Sequence, residues 1–208
     1  TTIPGVFGFT SYTASGVATA RIINTSNLFT RMRRLGYQGT AAAGQSGGAR
    51  VAAAQITLGD GSGFGGFHKI IRWGISDPTL VTTARTFVGV SSSTSAGTNI
   101  EPSTLLNSIG MGHGATDTNM KIYYGGSVAQ PPINLGVNFP ISSNTDVYEL
   151  ALFSPSKLNG VIFYEVTRLN TGDVASGRLE GTNGIILPSS NTLLTYSQNW
   201  RHNNGAGI

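Results

Sequence analysis

Two glutamates, Glu149 and Glu165, carry the residue types and spacing closest to catalytic chemistry. Each stands in a run of alternating polar and apolar residues, Val147–Phe153 and Val161–Arg168, with Pro155–Gly160 between them. A hairpin symmetric about Lys157 sets Glu149 opposite Glu165, Leu150 opposite Tyr164 and Leu152 opposite Ile162. The next turn, centred between Thr171 and Gly172, sets Glu165 against Arg178. Hydrolysis of a glycosidic bond uses two carboxyls, ~5–5.5 Å apart for retention or ~6.5–9.5 Å for inversion. The plainer reading of a Glu149–Glu165–Arg178 row is a charge ladder on an outer sheet face, where the arginine offsets the like-charge contact. That reading is the stronger, and the glutamate pair stands only as an enzymatic alternative.

The other candidates are binding residues. His68, His113 and His202 lie far apart and make no metal-binding spacing of the H-E-x-x-H kind. His113 stands in Gly110-Met111-Gly112-His113-Gly114-Ala115-Thr116-Asp117, which reads as a glycine loop. With Asp117 it contributes to a site only if further ligands converge, and otherwise it is a surface histidine. Asn119, Lys121 and Tyr123 share one face of a short strand, a polar and aromatic combination suited to sugars. Pyranose rings stack on aromatic rings while their hydroxyls take hydrogen bonds, and a tyrosine offers both an apolar body and a polar tip. Tyr123, Lys121, Asn119, His113 and Asp117 are therefore the ligand-binding candidates. Tyr124 and Trp200, beside Lys121 and Arg201, extend the aromatic set. Trp73 shares its face with Phe67, Lys69 and Ile71 and reads as core. Arg31, Arg33 and Arg34 form the only basic cluster, more a subunit contact or solvated strand face than a phosphate patch. No serine stands in a recognisable nucleophile setting, and there is no G-x-x-x-x-G-K-[ST] phosphate loop. Gly59–Gly66 reads as a loop tip.

These residues need a scaffold, and composition bounds it. The chain has 208 residues, 39% hydrophobic and 11% charged, against roughly a quarter charged in ordinary soluble domains. That shortage argues against a charge-rich coiled coil or a disordered tail, and the apolar content suffices for a core. The net charge of +4 is small and spread out, unlike a dedicated nucleic-acid binder. With no cysteine, disulfides and thiolate metal sites are excluded. No apolar run approaches the ~18 residues of a membrane-spanning helix.

Strand patterns dominate. Besides the two hairpin strands, Ala18–Ile23, Leu28–Leu35, Arg50–Leu58, Phe67–Ile75, Arg85–Ser91, Asn119–Tyr124, Val174–Glu180 and Leu193–Trp200 read as short strands. Residues 36–48 and 91–99 read as small-residue loops, and Glu101–Asn107 as one helical turn with proline near its start. The expected fold is all-β: an antiparallel two-layer sandwich, jelly-roll or lectin-like, with at most one or two short helices. Residues 1–48 are expected to form an N-terminal arm and first strands of the same sandwich, and residues 49–208 the sandwich domain, possibly truncated at its C-terminus.

Several stretches carry a resemblance. Arg85-Thr86-Phe87-Val88-Gly89-Val90, Asn99-Ile100-Glu101-Pro102-Ser103-Thr104-Leu105, Ile109-Gly110-Met111-Gly112, Asn119-Met120-Lys121-Ile122-Tyr123-Tyr124-Gly125-Gly126 and Val166-Thr167-Arg168-Leu169-Asn170-Thr171-Gly172 resemble bacteriophage tail-fibre and tail-spike receptor-binding proteins. The resemblance spans most of the chain and is one of texture, with no site motif to carry over. It implies a β-rich homotrimer in the virion, at a tail fibre or other external appendage, adhering to host surface polysaccharide and touching other virion proteins. It implies no cofactor, no metal, no nucleic acid and no membrane insertion. Trimeric display would turn weak sugar contacts into firm attachment through effective concentration. The ends of the sequence fit a piece of a longer polypeptide, and similar proteins lead us to expect another strand after Asn203-Asn204-Gly205-Ala206. The alternatives are a glycan depolymerase using Glu149 and Glu165, and a purely architectural capsid or fibre decoration domain.

Overall fold

A computed structural model describes residues 9–13, 17–21, 34–39, 42, 44–75, 83–141 and 146–202. Among them are fourteen strands: β1 (Phe9–Thr13), β2 (Val17–Arg21), β3 (Arg34–Gln38), β4 (Ser46–Val51), β5 (Ala54–Ile56), β6 (Phe67–Trp73), β7 (Arg85–Ser91), β8 (Ser108–His113), β9 (Lys121–Gly125), β10 (Ile133–Asn134), β11 (Tyr148–Ser154), β12 (Val161–Arg168), β13 (Asp173–Glu180) and β14 (Leu194–His202). One 3₁₀ turn, Pro102–Thr104, stands where the sequence predicts a helical turn. The large sheet runs β1-β4-β14-β7-β8-β9-β10, with β5 also paired to β14. The small sheet runs β13-β12-β11-β6, and β2 pairs with β3. Every pairing between named strands is antiparallel. The all-β antiparallel sandwich expected from the sequence is what the chain forms.

The two sheets close on one apolar core. Val90, Ile109, Met111, Ile122 and Leu194 of the large sheet meet Phe67, Tyr148, Leu150, Leu152, Ile162, Tyr164, Val166 and Leu179 of the small one. Alternation along β11 and β12 does this: each second residue is buried and the intervening ones look outward. Trp73 packs against this core, as its strand pattern predicts.

The register differs from the expected one. Leu150 faces Val166, Leu152 faces Tyr164, Glu149 faces Thr167 and Glu165 faces Ala151. The loop centre lies at Leu158, one residue beyond Lys157, and moving the centre by one moves every pair by two. The second turn moves likewise, so Glu165 faces Ser176, and Arg178 faces Phe163. Here the amides of Thr171 and Gly172 both donate to the Arg168 carbonyl, with Gly172 at φ 81°. A shift of two leaves each side chain on its face, so the apolar layer survives while the Glu149–Glu165–Arg178 row does not.

Strands also stand where loops were expected. β3 and β4 occupy the two ends of 36–48, and β8 takes up Gly110–His113. Gly110 belongs in β8 because the Phe87 ring lies over it: a Cβ there would come within 2.7 Å of that ring. β14 carries one extra residue between Thr195 and Gln198 relative to β7, a bulge that reverses its alternation. Leu194 therefore faces the inter-sheet core, while Trp200 joins Phe87 and Tyr123 on the opposite face. Arg31 and Arg33, and the stretch after His202 where a further strand was expected, lie outside the described residues; Arg34 opens β3.

Candidate functional site

Four of the five ligand-binding candidates come together at one end of the large sheet. The chain leaves β8 at His113, turns through Gly114–Asp117, and re-enters the sheet at Lys121. Asp117 sits at the centre of the turn. Its Oδ2 accepts hydrogen bonds from the Gly114 amide at 2.7 Å and the Tyr123 hydroxyl at 2.5 Å, while Oδ1 takes one from Lys121 Nζ at 2.5 Å. A second carboxylate, Glu101, accepts from the Ala115 amide and from Arg85 Nε at 2.6 Å. Arg85 also donates to Asn99 Oδ1. Gly114 separates the two acids: a Cβ there would lie 2.4 Å from Glu101 Oε2 and 3.2 Å from Asp117 Oδ2. Only glycine lets both carboxylates clasp this turn.

The electrostatics follow. Burial, the largest single influence on Asp117, favours the neutral acid, but the hydrogen bonds from Lys121, Tyr123 and Gly114 together outweigh it and hold the carboxyl below its ordinary range. Burial, then the hydrogen bond to Asp117, pushes the Tyr123 hydroxyl far above the usual phenol range. Tyr123 is thus a fixed donor at every physiological pH.

His113 is not the surface histidine of a loop. It is fully buried at the end of β8, and burial, reinforced by Arg201, lowers it to about 4. The neutral ring has one donor and one acceptor nitrogen. Arg201 Nη1 can only donate, so Nε2 at 3.2 Å accepts and Nδ1 carries the proton, donated to the Gly114 carbonyl. Thr86 Oγ1 lies between Arg201 and His113, bonded to both. Among the described residues no third ligating group joins His113 and Asp117 into a metal site.

Tyr123 likewise corrects the expectation of an exposed stacking ring. It is 2% exposed, in a small cluster with Phe87 and Trp200, flanked by Leu105. Gly97 is so close to Trp200 that a Cβ would stand 2.2 Å from its indole ring. The accessible rim is instead Lys121, at 26% side-chain exposure, and Glu101, at 37%, with Asp117 at 12% behind them. Asn99, Thr116 and Thr118 are exposed around that rim. Asn119 is half-buried and bridges Pro140 through its backbone; its side chain joins none of these bonds. The sequence names Arg201 only as a neighbour of Trp200 and does not announce Arg85, Thr86 or Glu101, which β7 and the segment between β7 and β8 bring in.

The glutamate pair has a different setting. Glu149 lies beside Arg72 of β6 and forms an ion pair with it. Glu165 is its diagonal neighbour on the solvent face of the small sheet, at the ~7–8 Å spacing such positions have. The face is an open sheet surface, and one of the two acids is committed to a cation.

No protein-family model matches the chain, and no curated protein sequence does. Solved structures share its fold. The enzymatically active domain of bacteriophage CBA120 tailspike protein 2 superposes with a TM-score of 0.51 at 14% identity, over 96% of this chain and 27% of that one. Full-length tailspike protein 2 from an Escherichia coli O157:H7 bacteriophage gives 0.52 at 13% identity, over 96% and 25%. Basic winged bean lectin with Tn-antigen gives 0.51 at 9% identity, over 97% and 84%. The chain thus spans about a quarter of the tailspike chains and most of the lectin. At these identities the likeness defines a class of fold, a lectin-like β-sandwich also found within a phage tailspike.

Proposed function

We propose that the chain is the receptor-binding sandwich of a phage tail fibre or tail spike, a virion appendage that adheres to glycan on the host surface. The observation that carries this reading is the Lys121–Asp117–Glu101 rim. Two carboxylates and two cations are clasped around one turn, backed by the buried Tyr123 and His113, with exposed Asn99, Thr116 and Thr118 beside them. A ring of fixed donors and acceptors on rigid strands is what sugar hydroxyls require, because pre-set polar groups lose little freedom on binding. The shared fold of a tailspike and of a lectin that carries a sugar antigen supports the assignment. Lys121, Asp117 and Glu101 touch the sugar, and Tyr123 and His113 position them. Homotrimeric display, with other virion proteins as neighbours, multiplies a weak site.

The test is binding of the chain to host cells and to a glycan array. Binding is expected, and Lys121→Ala is expected to weaken it at least tenfold while the variant still melts cooperatively as a folded chain. Absence of binding in the parent chain, or an unaffected Lys121→Ala variant, overturns the assignment. Reducing-sugar release from host capsule, abolished by Glu165→Gln, would replace it with the depolymerase.

A further inference from the structure

Two asparagine–glycine steps face one another at the loop end of the small sheet. Asn159-Gly160 ends the loop between β11 and β12, and Asn183-Gly184 lies between β13 and β14. Asn183 Nδ2 donates to Asn159 Oδ1 at 2.7 Å and reaches the Gly59 carbonyl at 3.4 Å. That carbonyl can only accept, so the Asn183 atom turned to it is the amide nitrogen. The Asn159 atom meeting this nitrogen is therefore its carbonyl oxygen. Three loops thus fix the way both side chains point.

An asparagine before glycine can be attacked by the next main-chain amide, which no side chain shields. Two features favour the attack. The amide must be free of a hydrogen bond, and the charge that builds on the side-chain oxygen must meet a donor. Asn159 has both. The Gly160 amide finds no acceptor among the described residues, and Asn183 supplies the donor. Asn159 is also exposed, so water reaches it. Asn183 has neither: the Gly184 amide donates to the Leu187 carbonyl at 2.7 Å, and Asn183 Oδ1 is buried without a partner. The neighbouring Asp60-Gly61 step is held as well, because the Gly61 amide donates to the Ser156 carbonyl.

We propose that Asn159 is a self-modification site, where the Gly160 amide displaces the side-chain nitrogen and Asn183 steadies the oxyanion. The Gly160 nitrogen gives its proton to water and bonds to Asn159 Cγ. The Cγ–Nδ2 bond breaks, and Nδ2 takes a proton and leaves as ammonia, closing a cyclic imide. Water opens the imide at either carbonyl. The product at 159 is aspartate, or isoaspartate in which the main chain runs on through the side-chain carbon. One water is consumed, one ammonia is released, and nothing is oxidised or reduced. The loops feel the change: a Cβ at Gly61 would lie 3.2 Å from Asn159 Cβ, so the extra main-chain carbon of isoaspartate presses on the loop after β5. The proposal is independent of the glycan reading.

Incubation of the folded 208-residue chain at mildly alkaline pH, followed by peptide mapping, reads aspartate and isoaspartate at each site. One hydrogen bond to break at Gly184 and one donor gained at Asn159 should make 159 react at least about tenfold faster than 183. In concentrated urea the two steps lose these differences and should react alike. Asn183→Ala removes the donor and should slow 159 at least about tenfold, with a melt confirming that the variant is folded. Equal rates in the folded parent, or a faster reaction at 183, overturn the proposal. So does a reaction at 159 that is unchanged or faster in Asn183→Ala, since the contact would then shield Asn159. The parent comparison needs no variant, so a folding defect in Asn183→Ala leaves the proposal open to refutation by the first result.

Discussion

The Nζ of Lys69 donates a hydrogen bond to the carbonyl oxygen of Tyr196, 2.7 Å away, across the interior of the sandwich. Tyr196 lies in the β14 bulge, where the ladder leaves its carbonyl free, and Lys69 also reaches the Gly89 carbonyl of β7 at 2.8 Å. A lysine that is 1% exposed thus ties the small sheet to the large one through neutral acceptors. Burial lowers it to about 7, because no carboxylate in its bonding sphere repays the lost hydration.

Stability should therefore rise with pH above neutrality. Between about 7 in the folded chain and the ordinary 10.5 of the unfolded one, the unfolded state holds the extra proton, so each step up in pH favours folding. The slope approaches about 1 kcal/mol per pH unit. Thermal melts from pH 7 to 10 should show a rising midpoint, and Lys69→Met should flatten the curve. A flat parent profile would show that the lysine is not held this way.

Acid acts through His113. Its folded value of about 4 lies below the ordinary 6.5, so the unfolded state takes up the proton first and stability falls as pH drops from 6.5 towards 4. Protonation would place a second positive charge against Arg201. The variant His113→Gln should melt with less pH dependence across that window. Asp117 adds a further loss lower still, as its depressed carboxyl is finally protonated.

Removing the Tyr123 hydroxyl isolates its bond to Asp117. Tyr123→Phe should cost about 1.5–3 kcal/mol, the range for a hydrogen bond to a charged group. Asp117 should then titrate closer to the ordinary carboxylate range, because one of the donors holding it down is gone. A carboxyl-detected titration of the two proteins measures the change; an unmoved Asp117 would mean that Lys121 and Gly114 alone set it.

Two glycines separate steric from conformational cost. At Gly110 a Cβ meets the Val88 carbonyl at 2.5 Å and the Phe87 ring at 2.7 Å, so Gly110→Ala should destabilise by about 1–3 kcal/mol through overpacking. Gly172 has open space but φ +81°, and Gly172→Ala should cost about 1 kcal/mol from backbone strain alone. Chemical denaturation measures both, and a Gly110→Ala variant as stable as the parent would contradict the close approach of Phe87 to β8.

Alternation made the small sheet legible. β12 runs over the residues its alternation predicts, and the buried faces of β11, β12 and β6 follow from residues such as Leu150, Ile162 and Trp73. Register was not, because a hairpin read from alternation alone can slide by two residues without exposing its apolar side; the placement of Leu158 at the loop centre depends on turn geometry. β8 was hidden because Gly110 and Gly112 read as a loop, whereas they thin the strand so that the outer cluster can lie on it. Lys121, Asp117 and His113 share a short stretch of sequence and were found together. Arg85 and Arg201 reach the same place only through β7 and β14, which pairing over long sequence separation brings alongside, and Glu101 arrives on the segment between β7 and β8. The burial of Tyr123 follows from a loop laid over its face, and no local pattern announces such a cover.

The position of β14 between β4 and β7 has a consequence for synthesis. The small-sheet meander β11-β12-β13 joins neighbours in sequence and can assemble as soon as it leaves the ribosome. The large sheet cannot: until residues 194–202 emerge, β4 and β7 each present an open edge to any other chain nearby. Nascent copies made side by side on one message face that hazard until β14 emerges, so this strand works as the stitch that takes both edges out of circulation at once.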